Sequence, residues 1–141
     1  MRSLICLLLW ASPVAAWEFT PGLPCVLTHI EGGAEVELTH DPRAPLYSIT
    51  IRTFAPWPDA DVFGIRFDGP AGITITTDRH VISPDGRALT VTDRGFGNVL
   101  NGLQQNVTAT ALLGDRAVPF SLAGADAPVD KFRRCEATPG V

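Results

Sequence analysis

The feature that most constrains this chain is the alternation of apolar and polar residues in short runs between Leu46 and Asp93. In LYSITIRTF, Tyr47, Ile49 and Ile51 fall on one side and Ser48, Thr50 and Arg52 on the other. In VFGIRFD, Phe63, Ile65 and Phe67 oppose Gly64, Arg66 and Asp68. ITITTD and ALTVTD repeat the pattern, with Ile73, Ile75, Leu89 and Val91 set against threonines. A period of two puts every second side chain on the same face of an extended backbone, and β-branched residues suit that surface. Each inward Ile or Phe withdraws apolar surface worth roughly 1.5–3 kcal/mol from water. Turn clusters punctuate the runs: EGG, HDPRAP, APWPD, DGPAG, SPDG and LGD. Short strands at such spacing predict an all-β fold, an antiparallel two-sheet sandwich, immunoglobulin-like or a partly open barrel.

The same reading extends to both ends. CVLTHI and AEVELTH flank EGG as a hairpin, with Val26, Thr28, Val36 and Leu38 inward and His29 outward opposite Glu35. VTATALL and AVPFSL flank GDR as a second hairpin, and Pro119, which has no N–H to give a ladder, places its strand at an edge. Two segments break the alternation and predict short helices. Phe96, Val99, Leu100 and Leu103 recur at helical spacing. In GADAPVDKFRRC, Pro128 suits a first turn and Asp126 a helix N-terminus, where it caps or complements the dipole. Val129 and Phe132 share that helix's buried face, and Arg133 and Arg134 lie at its C-terminal end.

The first sixteen residues, MRSLICLLLWASPVAA, read as a secretory signal: Arg2, an apolar run, a Ser-Pro break and small residues before Trp17. The run is far short of the ~20 apolar residues that span a bilayer. Cleavage after Ala16 leaves residues 17–141 as one domain destined for the periplasm or for secretion. That domain carries ten basic and fifteen acidic residues, and its longest basic run is Arg133-Arg134. Without a clustered positive patch, nucleic acid and anionic membrane surfaces are poor partners. In an oxidising compartment the remaining cysteines, Cys25 and Cys135, pair as one disulfide that ties the two ends together.

The stretch TVTDRGFGNVLNGL raises phosphate binding. Gly97 and Gly102 have Walker spacing, but Leu103 stands where the lysine belongs. As a dinucleotide loop, GFGNVL reaches Leu100 instead of its third glycine. The structural reading gives Gly95 and Gly97 positive φ where the strand turns, with Phe96 plugging the core. On the functional reading, Arg94, Asn98 and the amides after Gly97 hold a small anion. Asp78, His80 and Ser83 have hydrolase residue types, but His80 and Ser83 on an extended strand sit about 10 Å apart on opposite faces. His29, His40 and His80 do not converge on a metal, and no cofactor motif is present. Trp57, between Pro56 and Pro58, either anchors a ligand or partner from a stiff loop or folds over one end of the sandwich. Asn106-Val107-Thr108 matches a glycosylation sequon.

Together, WEFTPGLPCVLTH, DPRAPLYSITI, SPDGRALTVTDRGFGNVLNGL and SLAGADAPVDKFRRC resemble small exported proteins of alphaproteobacteria. The closing strand, glycine and short helix are similar to the end of the invasion-associated locus B family of periplasmic sandwich proteins. The resemblance implies export and transfers no catalytic residue. The expectation is therefore a non-enzymatic binding protein for a protein or envelope component, of open oligomeric state. The alternative is a small-ligand binder or hydrolase-type enzyme with its site near Arg94, Phe96 and Asn98, or at Trp57.

Overall fold

The computed structural model describes residues 17–135, so the signal segment lies outside the described residues. The elements in chain order are β1 (Glu18–Thr20), β2 (Cys25–Glu31), β3 (Ala34–Asp41), β4 (Leu46–Thr53), β5 (Phe63–Asp68), β6 (Ile73–Thr77), β7 (Val81–Ile82) and β8 (Ala88–Asp93). These are followed by α1 (Gly97–Gln105), β9 (Thr108–Leu113), β10 (Arg116–Ser121) and α2 (Asp126–Arg133). A six-stranded sheet runs β1-β2-β3-β4-β8-β7 and a four-stranded sheet runs β10-β9-β5-β6. All pairings are antiparallel. The fold is thus the expected open two-sheet sandwich with two helices, and β10, with Pro119, is indeed an edge.

The core lies between the sheets. Leu27, Val36, Leu38, Ile51 and Leu89 from the larger sheet meet Phe67, Ala111, Leu113 and Phe120 from the smaller, all essentially inaccessible. α1 covers part of the core with Leu100 and Leu103, and α2 with Val129 and Phe132. The helices are tied to each other by Arg133, which donates to Asn101 Oδ1 (2.6 Å) and Gln104 Oε1 (2.8 Å). The Cys25–Cys135 disulfide joins the first residue of β2 to the end of α2, with Cα atoms 6.0 Å apart.

Two expectations are corrected. The first concerns β2, which is one residue out of phase with the sequence reading. Cys25, Leu27 and His29 face inward, and Val26 and Thr28 outward. A two-residue turn at Gly32-Gly33 pairs Glu31 with Ala34, so His29 faces Val36 and not Glu35. A slip of one residue exchanges the faces, and the turn fixes which one is chosen. The buried His29 ring stacks on Trp17 at 4.7 Å, and Glu31 Oε1 lies 3.5 Å from its Nε2, but neither ring nitrogen has a hydrogen-bond partner among the described residues. The second correction is that Gly95 and Gly97 do not take positive φ; Gly32, Gly86 and Gly114, in the hairpin turns, do. Of the two roles expected of Asp126, the structure has the second: it is the first residue of α2, with Ala125 at the N-cap, and its charge complements the dipole in the first turn.

Candidate functional site

The sites expected at Trp57 and at Arg94, Phe96 and Asn98 fall in different parts of the molecule. Trp57 is 5% exposed and serves the core. Its indole N–H donates to the Ile51 carbonyl at 3.2 Å, its ring meets Phe63 edge-on, and the Arg116 guanidinium lies 4.8 Å above it. Of the two readings of Trp57, the structure shows the one in which it folds over the sandwich.

The stiff loop around it presents a different aromatic. Phe54, just past the end of β4, is 81% exposed, the highest value among the exposed large apolar side chains of the described residues. The backbone on either side of it is held firmly. Thr53 N donates to Arg87 O and Thr53 Oγ1 to Ala55 O. Arg116 donates to the carbonyls of Ala55 and Pro56, and Trp57 N to Gly86 O. The Phe54 ring stands over Gly33, where an added Cβ would lie 3.3 Å from the ring edge. It separates two hollows of about 380 and 420 Å3, one bordered by Ile30, Arg52 and Arg87 and the other by Glu31, Arg116 and Pro119. Ile30, 63% exposed, extends the apolar surface. In one hollow Asp85 is held below the usual carboxylate range by the Ser83 hydroxyl and the Arg87 amide, with Arg87 and Arg52 nearby. This patch sits at the end of the larger sheet remote from the disulfide, because Thr53 pairs with Ala34 while Cys25 pairs with His40. The signal that could have found Phe54 was its place after the strand run YSITIRT, where the alternation stops.

Phe96 and Asn98 line a cleft on the flank of the sandwich; Arg94 is exposed beside it. Phe96 is buried at the N-cap of α1 and stacks on Tyr47, with ring centroids 5.5 Å apart. The residues of the suggested hydrolase triad are not brought together. His80 Nε2 bonds the Ala60 carbonyl at 2.9 Å, whereas Ser83 Oγ donates to Asp85 at 2.5 Å and accepts from Ala88 N. Among the described residues no three His, Cys, Asp or Glu side chains converge as a metal site. No described helix is long and apolar enough to cross a membrane. The sequon residue Asn106 is a structural clamp: its carboxamide accepts from Ala71 N and donates to the carbonyls of Ala71 and Gly102.

No protein-family model, curated protein or solved structure matches the chain.

Proposed function

We propose that this is a non-enzymatic binding protein acting outside the cytoplasm, which engages a protein or envelope component through the Phe54 end of its larger sheet. The observation that carries this reading is that the most exposed aromatic among the described residues sits on a loop whose backbone is held by hydrogen bonds on both sides of it. An exposed apolar ring ordinarily costs solubility, and a loop whose backbone is already held gives up little conformational entropy when a partner covers it. Aromatic side chains flanked by arginines and hollows are the composition expected at the centre of an interface. Export is supported by the form of residues 1–16, by the Cys25–Cys135 bridge and by the resemblance to small exported proteins.

The test is a photo-crosslinking amino acid placed at position 54 in the exporting cell, with mass spectrometry of the adducts. One reproducible adduct is expected, and none when the same group replaces Thr28 on the outer sheet face. Repeated recovery of uncrosslinked monomer alone would overturn the proposal.

A further inference from the structure

The flank of the sandwich opposite β1 and β10 is not closed, and the reason lies in strand lengths. β7 pairs only with Leu89 and Thr90, so β8 runs on past it and Val91–Asp93 have a neighbour on one side only, β4. Facing this free stretch, β6 pairs with β5 alone. Between them runs a cleft of about 590 Å3, within the range of roughly 300–1,000 Å3 typical of small-molecule sites. Its floor is the core itself, formed by Ile49, Phe63, Ile65, Ile75 and Val91, with Phe96 and Val99 at the end where α1 begins.

The lip of the cleft is formed partly by Gly95 and Gly97. Neither has a positive φ, and a Cβ on either would meet nothing within 4 Å. Neither backbone conformation nor close packing demands glycine at these positions. What their bare backbones do provide is an unobstructed mouth. The rim is polar: Thr77, Asn98, the carboxylates of Asp78 and Asp93, and the guanidinium of Arg79, with Arg94 exposed beside it.

We infer that this cleft binds a small amphiphile, with its apolar body on the Ile49–Ile75–Val91 floor and an uncharged, hydrogen-bonding end at the rim. Asp78 and Asp93 are matched by Arg79 at the rim and Arg94 beside it, which leaves no net charge to hold an ionic end, and the hydroxyl of Thr77 and the carboxamide of Asn98 suit a hydroxyl or amide. An α-helix, 10–12 Å across with its side chains, is too thick for the slot between the sheets, which pack ~10 Å apart. The site is separate from Phe54 and does not depend on it.

The neutral fluorescent probe N-phenyl-1-naphthylamine, titrated into the oxidised protein, tests the inference. A saturable, one-to-one rise in emission is expected, displaced by 1-decanol at least tenfold more effectively than by decanoate. Gly95→Trp, whose Cβ would meet nothing within 4 Å, should weaken probe binding at least tenfold with its melting curve retained. Should that variant melt early, Ile75→Gln on the edge strand supplies the same test by placing an amide in the floor. Phe54→Ala should bind the probe as the parent does, so that failure of the cleft and failure of the partner surface are read separately. Absence of saturable binding, or unchanged binding in a folded cleft variant, overturns the site. Equal displacement by decanoate overturns the uncharged end.

Discussion

His40 shows how much one side chain's surroundings decide. Its ring lies flat on Tyr47, with centroids 3.9 Å apart, and the edge of Phe132 meets it at 6.3 Å. Burial holds the imidazole pKa below its ordinary 6.5, and the opposing pull of the neighbouring Asp41 is the smaller effect. The folded state therefore takes up a proton less readily than the unfolded chain. The neutral ring's contribution is complete above pH 6.5 and is lost as pH falls through the depressed folded value. Melting temperature should accordingly drop between pH 7 and pH 5. His40→Phe, which keeps the stack, should flatten that drop; an unchanged slope would assign it to other groups. The carboxyls of Asp41 and Asp85 are held below the usual 3.8, by Arg43 and by Ser83 with the Arg87 amide, and titrate outside this window. At this scale the sequence is least informative. The prolines around Trp57 announce a stiff loop, but which aromatic turns inward depends on Ile51 O and Arg116, supplied by β4 and β10. A second expectation follows for the outward ring. Phe54→Ala should shift stability by no more than about 0.5 kcal/mol in urea denaturation, as exposed substitutions do, while abolishing the adduct formed when the photo-crosslinking residue is placed instead at the neighbouring Ile30.

At the scale of elements, the helix after β8 is readable from Phe96, Val99, Leu100 and Leu103, because helical spacing is a local property. The role of its glycine is not local. Gly102 shares Walker spacing with Gly97 in the sequence, yet in the fold it is buried against Phe67 of the smaller sheet. A Cβ at Gly102 would lie 2.6 Å from three atoms of the Phe67 ring. On an open helix, Gly→Ala gains up to about 1 kcal/mol. Here the collision must push α1 off the sheet or Phe67 off its rotamer, at a cost of typically 1–3 kcal/mol. Gly102→Ala should therefore destabilise the protein in urea denaturation. Adding Phe67→Leu should recover part of the loss relative to the sum of the single changes, because contacting residues are non-additive. Simple additivity would show that α1 accommodates the methyl group without Phe67. The phase of β2 illustrates the same limit: alternation revealed a strand, and only the tight turn at Gly32-Gly33 decided which face was inner.

For the molecule as a whole, the two-sheet architecture was readable because period-two patterning and turn residues act over a few positions each. The open flank was not, since it depends on where β7 stops relative to β8. The disulfide acts on the largest scale of all. It links residues 110 apart, and as a covalent bond it persists in the unfolded chain and restricts its freedom there. In the chain-entropy account a loop of this length is worth about 4–5 kcal/mol. In the folded state the same ends are also held by non-covalent contacts: α2 buries Val129 and Phe132 beneath the larger sheet, and Arg133 locks it to α1. Reduction should therefore leave a folded sandwich at 25 °C while lowering the melting temperature by roughly 10–20 °C, at a few degrees per kcal/mol for a domain of this size. Because Cys25 is wholly buried and Cys135 only 8% exposed, reduction should also be slow under native conditions and rise with denaturant, as the end of the molecule opens to admit the thiol. Calorimetry of the oxidised protein against the Cys25→Ala/Cys135→Ala variant measures the first effect and thiol trapping the second. Equal melting temperatures would mean that α2 alone holds the two ends, and that the bridge adds nothing to the fold it spans.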